Sequence, residues 1–204
     1  MKKILIILSL LLSTSIVNGV DYTLPYLTFG GSPSYYLSNQ SFSNNGFGIL
    51  ENDAYRLSVS RFNVGIFHTT LYESLMANSA VFSIHFNKTS VSLSAMRIAE
   101  SNMNKTSIDS SLPDDPFHVS GQYNYQNIVS KLSVNHSYNK RLTFGAGINA
   151  YITSLDSESG TGIDGSVGVI LNGEWIDISL SLQNIMQNNV VFNDKSTETL
   201  PRLS

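Results

Sequence analysis

Leu142-Thr143-Phe144-Gly145-Ala146-Gly147-Ile148-Asn149-Ala150-Tyr151-Ile152-Thr153 is the stretch whose reading decides the fold. Leu142, Phe144, Ala146, Ile148, Ala150 and Ile152 occupy alternate positions, and small or polar residues fill the others. Successive side chains of a β-strand point to opposite sides, so the run predicts a strand with one apolar and one polar face. It is long enough for a tilted membrane-spanning strand, which needs roughly 9–11 residues. The polar face carries Gly, Thr, Asn and Tyr where a soluble sheet usually shows Lys and Glu to water. That choice suits a wall lining an interior.

The same alternation recurs. Ile176, Ile178, Leu180 and Leu182 alternate with Asp177, Ser179, Ser181 and Gln183. Ile128, Leu132 and Val134 share a face opposite Lys131, Ser133 and Asn135. Val91, Leu93 and Ala95 alternate with serines, and Phe82, Ile84 and Phe86 with Val81, Ser83 and His85. Tyr55, Leu57 and Val59 alternate with Arg56, Ser58 and Ser60. Each segment is a weak signal alone, as barrel strands are, and repetition strengthens it. Phe144, Ile148, Ile152, Ile178 and Leu180 are therefore expected to face lipid, and Asn149, Tyr151, Asp177 and Ser179 the interior. Lys131 and Asp177 on a polar face are affordable only if that face is wet or the charges are paired.

Charged residues make up 13% of the chain and hydrophobic residues 42%. Scarce charge with ordinary hydrophobicity suits a lipid-facing surface, where Lys or Arg costs ~2–4 kcal/mol at the midplane. A net charge of −3 supplies no basic stripe for phosphates and argues against nucleic acid as a partner. The absence of Cys excludes a disulfide scaffold and thiolate metal ligation.

Residues 1–19 read as a secretory signal peptide: Lys2 and Lys3, then the apolar core Ile4–Leu12, then small residues at Val17 and Gly19. The apolar core is well short of the ~20 residues of a spanning helix. No Cys follows it to accept a lipid anchor. Residues 20–54, rich in Tyr, Ser, Asn and Gly, show no sustained period and read as an irregular, plug-like segment. Residues 55–204 read as an antiparallel β-barrel region. Turns are expected at Asn87-Lys88, Gln126-Asn127, Asn139-Lys140 and Asn172-Gly173, the last matching a type I′ turn. Longer connections are expected at Glu100–Phe117, at Asp156–Ile163 and from Met186. Tyr123, Tyr125, Tyr138 and Trp175 fall at or near strand ends, as the aromatic girdles of membrane barrels do.

No catalytic constellation emerges, no G-x-S-x-G elbow is present, and no enzymatic activity or cofactor is expected. His68, His85, His118 and His136 lack ligand spacing. Asp114-Asp115 near His118 are flanked by Pro113 and Pro116, which mark a loop. Asp156, Glu158 and Asp164, with Gly160 and Gly162 between, are oxygen ligands on a glycine-rich stretch, but the spacing matches no EF-hand and a plain loop is the favoured reading.

Gly121-Gln122-Tyr123, Leu142-Thr143-Phe144-Gly145, Asp164-Gly165, Gln183-Asn184-Ile185 and Leu200-Pro201 together resemble the motif series of the PorV/PorQ-type outer-membrane proteins, barrels related to the FadL transporters. The resemblance is best between Pro116 and Pro201. Phe29-Gly30-Gly31 and Asn44-Asn45-Gly46-Phe47 depart from the family's Met-Gly-x-Ala and Asn-Pro-Ala stretches. The resemblance implies an outer-membrane β-barrel, complete or incomplete, acting in transport of hydrophobic solutes or in type IX protein secretion. Its implied partners are outer-membrane lipid and secretion-system proteins. The residues supply about nine strand segments, whereas single-chain bacterial barrels have an even number, so a C-terminally truncated member is the expectation. The alternative is a secreted, soluble β-sandwich adhesin or surface protein.

Export should remove the leader near Gly19–Val20. N-terminal sequencing of the exported protein checks this: a chain starting near Val20 is expected, and one starting at Met1 contradicts it.

Overall fold

The computed structural model describes residues 47–50, 52–56, 61–71, 75–108, 117–186 and 188–199. The expected leader 1–19 and most of the 20–54 segment lie outside these residues. The described chain is an all-β antiparallel meander: β1 (Phe62–Leu71), β2 (Leu75–Phe86), β3 (Thr89–Ile108), β4 (Phe117–Ser137), β5 (Leu142–Leu155), β6 (Glu158–Leu171), β7 (Ile178–Gln183), β8 (Asn189–Phe192) and β9 (Thr197–Thr199). Each strand pairs with its neighbours in sequence, except that β7 and β8 both pair with β6. β7 pairs with Ser166–Leu171 and β8 with Gly160–Thr161, so the two form one interrupted strand along one edge of β6. The nine strands thus fill eight positions. The sheet is not closed into a barrel.

The interruption between β7 and β8 has a chemical cause. Asn184 adopts a positive φ of 55°. The buried Asp164 carboxylate accepts hydrogen bonds from the backbone N–H of Met186 (2.8 Å) and Asn188 (3.2 Å), as well as from Gly165 (2.6 Å). Those amides turn to a carboxylate instead of to the β6 ladder, and the chain bulges there. Tyr151 Oη, from the adjacent strand, donates to Asn184 Oδ1 (2.8 Å) and closes the bulge from the inside.

Several sequence expectations are corrected. Gln126-Asn127 is no turn but lies within β4, where Asn127 pairs with Ile98 and Thr153. Cross-strand pairing on both sides outweighs the local turn preference of the dipeptide. The expected long loop at Asp156–Ile163 is a tight turn at Asp156-Ser157, with Asp156 at a φ of 55° and β6 starting at Glu158. The connection at Asn172-Gly173 runs on to Asp177, and β7 starts only at Ile178. No strand starts at Tyr55: Tyr55 and Arg56 continue the segment packed on the sheet, residues 57–60 lie outside the described set, and β1 begins at Phe62. β3 and β4 pair as far as Ile108–Phe117, well beyond their other neighbours, with irregularities between Glu100 and Met103 and between Lys105 and Thr106.

The two faces are opposite in character to those of a soluble sheet. Outward positions carry Phe62, Val64, Ile66, Phe82, Leu93, Leu132, Val134, Phe144, Ile148, Ile152, Ile163, Ile178 and Leu180, all exposed, up to 81% for Ile66. Inward positions carry Ser83, Ser92, Ser94, Asn127, Lys131, Ser133, Asn135, Asn149, Asp164 and Ser166, all buried. The register keeps the sets apart, because a one-residue slip would exchange the faces.

Asp164→Ala removes three acceptor bonds from buried or half-buried amides and should destabilise the fold by about 1–3 kcal/mol. The midpoint of urea unfolding checks this. An unchanged midpoint would mean that the β7–β8 bulge is held by something else.

Candidate functional site

The concave, inward face is covered by the short 3-10 turn Phe47–Leu50 and the following residues 52–56. Gly145, Gly147 and Gly168 make room for them. A Cβ at Gly145 would collide with the backbone of Asp53 and Ala54, one at Gly147 with the Asp53 carboxylate, and one at Gly168 with the Asn52 side chain. The small residues that gave the sequence its unusual polar face therefore form a trough for a second layer of chain.

Apolar side chains of the segment fill the space beside the trough. Phe47, Ile49, Leu50, Ala54 and Tyr55 cluster with Val81 and Ile170 of the wall, and Phe67 packs against them. Phe47 and Phe67 meet edge to face, with ring centroids 6.5 Å apart. A second cluster, Val129, Tyr151 and Val190 with Phe192 against it, occupies the inner side nearer β8.

Polar contacts then fix the segment. Asn52 Nδ2 donates to Ser179 Oγ (2.7 Å) and to the Leu180 carbonyl (3.1 Å), while its Oδ1 accepts from the Ala54 N–H (2.8 Å). Asn135 Nδ2 donates to the Tyr55 carbonyl (2.7 Å), and Arg56 donates to Ser137 Oγ and to the Asn87 carbonyl. At the centre, Lys131 Nζ stands 3.0 Å from Asp53 Oδ1, with side-chain exposures of 2% and 0%. Ser133 Oγ donates to the same carboxylate oxygen (2.6 Å), and Lys131 Nζ also donates to the Leu50 carbonyl (3.3 Å). Lys131 is the one buried Lys or Arg among the described residues. Its charge is tolerated there because the partner carboxylate is equally buried.

Of the residues expected to face the interior, Asn149 and Tyr151 are buried on the inward face of β5, and Ser179 meets Asn52 from β7. Asp177 is elsewhere. It is exposed in the β6–β7 connection, where its carboxylate accepts the Gly173 N–H (3.0 Å) and stabilises that turn. The expected girdle divides as well. Tyr138 and Trp175 are exposed in the β4–β5 and β6–β7 connections, whereas Tyr123 and Tyr125 lie half-buried on the inward row of β4. Asp156, Glu158 and Asp164 do not converge: Asp156 pairs with Lys105 at 2.9 Å and Asp164 caps the bulge. No metal-holding cluster of His, Asp or Glu occurs among the described residues. The four histidines each face a strand neighbour, His68 with Asn78, His85 with Ser90, His118 with Ser107 and His136 with Thr89. Asp114 and Asp115 lie outside the described residues.

Asp53 escaped the sequence reading, since its segment shows no period and the Ser133–Asp53 bond spans 80 positions. The signal that could have found it was Lys131, a cation on a predicted polar strand face in need of a counter-charge. No protein-family model matches this chain, and comparison with curated proteins and with solved structures gives no match.

Lys131→Met strands a buried carboxylate and should cost about 3–5 kcal/mol, whereas Lys131→Met with Asp53→Asn should recover most of the loss. Denaturant unfolding of the two single variants and the double variant checks the coupling. Additive losses would show that the two charges act independently.

Proposed function

We propose that this chain is an outer-membrane β-barrel protein whose sheet faces lipid outward and a plugged, polar interior inward. Its role is a transport or protein-secretion component of the kind found among the PorV/PorQ-type proteins it resembles. The observation that carries this reading is the inversion of the two faces. Outward positions of β1, from Phe62 to Ile66, of β5, from Leu142 to Ile152, and of β6, from Ile163 to Leu171, hold no Asp, Glu, Lys or Arg, and most of their large apolar side chains are exposed. Lys88, Arg141, Glu174 and Asp177 sit at the turns of one end of the strands, and Lys105, Asp156 and Glu158 toward the other, while Arg97 stands on the outward face of β3 level with Ile128 and Ile152, where its guanidinium donates to Gln126 Oε1 (2.8 Å). An apolar band bounded by two charged rims, with Tyr138 and Trp175 at one rim, is what a hydrocarbon layer between two aqueous phases selects.

A soluble β-sandwich would instead bury its apolar face against a second sheet and leave the polar face to water. Here the polar face is the buried one. None of the described helical segments is long and apolar enough to cross a membrane, so spanning would fall to the strands, whose backbone groups are satisfied by neighbours once the sheet is closed. The leader-like residues 1–19 supply the export this location requires.

The experiment that tests the reading is carbonate washing of cell envelopes, followed by electrophoresis with and without heating. Retention in the outer membrane with heat-modifiable mobility is expected, and recovery in the soluble fraction would contradict it. Ile148→Arg sets a guanidinium on the lipid face at a cost of about 2–4 kcal/mol and should prevent assembly, whereas Ile148→Leu should leave it intact. Envelope fractionation of the two variants checks this. Equal assembly would remove the basis for a lipid-facing surface.

A further inference from the structure

We propose that Lys131 and Ser133 form a carboxylate-binding site on the inner wall, occupied in this structure by the chain's own Asp53, so that the segment carrying Asp53 acts as a built-in competitor for carboxylate-bearing solutes. The inference rests on the reading of the inward face as the lining of an interior, and it names the chemistry which that lining recognises.

Three observations carry it. The first is the geometry of the occupant. One carboxylate oxygen, Asp53 Oδ1, takes both the ammonium at 3.0 Å and the Ser133 hydroxyl at 2.6 Å, a charge-assisted arrangement in which both groups come from the wall. Asp53 Oδ2, buried as deeply, has no hydrogen-bond partner among the described residues. The site thus grips a carboxylate by one oxygen and leaves the other for a further donor.

The second is the wall around Lys131. In the strand register Lys131 stands between Ser94 of β3 and Asn149 of β5. Ser94 Oγ and both polar atoms of Asn149 are buried and lack hydrogen-bond partners among the described residues. Asn149 is 1% and Ser94 2% exposed. Unpartnered buried polar atoms are costly. Their placement on both sides of the buried lysine gives a bound molecule more donors and acceptors than Asp53 uses.

The third is the seat itself. The backbone of Asp53 and Ala54 comes within contact of glycines on two neighbouring strands, Gly145 and Gly168. The Asp53 side chain beyond its Cα is the chemical equivalent of an acetate ion. A carboxylate of another molecule that reached Lys131 would therefore meet the same contacts and displace Asp53 in a one-for-one exchange, with no change in buried charge.

Acetate is the probe. In purified, detergent-solubilised protein, Asp53→Ala leaves an acetate-sized space beside a lysine that has lost its carboxylate partner. Acetate should raise the Tm of Asp53→Ala above its value in chloride of equal ionic strength by roughly 2–4 °C or more. The rise should be much smaller for the wild type, where acetate must first displace Asp53, and absent for Asp53→Ala/Lys131→Met. Should Asp53→Ala fail to fold in chloride, refolding in acetate but not in chloride is the expected form of the same result. Asp53→Asn, which keeps the shape and loses the charge, provides the second variant. Tryptic cleavage after Arg56 reports release of the segment and should increase in wild type with rising acetate. An acetate response shared by all variants, or absent from Asp53→Ala and Asp53→Asn alike, would overturn the proposal. The measurement is made in detergent, so recovery of the protein in the soluble fraction would contradict the membrane reading without deciding this one.

Discussion

A sheet whose concave face is made of Ser, Asn, Thr and Lys must find hydrogen-bond partners for that face, and the rest of the structure follows from how it does so. Water would serve if the face were open. Here residues 47–50 and 52–56 serve, and Asp53 beside Lys131 is the contact that makes the arrangement possible. A lone buried ammonium is among the least tolerable groups in a protein interior, and a lone buried carboxylate equally so. Paired at 3.0 Å, with Ser133 as a third member, each makes the other possible. The glycines follow from the same requirement: at Gly145 the backbone of Asp53 and Ala54 approaches the wall closely, and at Gly147 and Gly168 the Asp53 and Asn52 side chains take the space a Cβ would fill.

With the polar face covered, the apolar face is left outside. Exposed Phe, Ile, Leu and Val across adjacent strands would be an aggregation surface in water. In hydrocarbon they are the expected lining, and the placement of charge at the two ends of the strands agrees with that setting. The sheet's edges belong to the same account, since unpaired strand edges are not tolerated at membrane depth. Among the strand pairings of the described residues, β1 pairs with β2, β7 with β6 and β9 with β8.

The strand pattern was legible in the sequence because it depends on a local period of two. Leu142 to Thr153 predicted β5 and the burial of Asn149 and Tyr151 without reference to anything distant. Local signals failed where a distant partner decided the outcome. Gln126-Asn127 has turn-forming residues, yet pairing with both β3 and β5 holds it in an extended strand. Asp177 alternates correctly with its neighbours, yet its carboxylate captures the Gly173 amide and the strand begins one residue later. Asp53 was not legible at all, since nothing near it in the chain indicates what lies across from it.

The central claim, that alternate residues of one strand look into lipid and into a packed polar interior, is tested most directly by moving a single tryptophan along β5. With Trp175 replaced by Phe, tryptophan is placed in turn at Phe144, Ala146, Ile148, Ala150 and Ile152, and at Thr143 and Tyr151 for the inward side. Fluorescence is then measured in vesicles containing brominated lipid. The account predicts strong quenching at every outward position, weak quenching at the inward ones, and therefore a period of two along the strand. Uniform quenching, or none at the outward positions in protein shown to be folded, would contradict it.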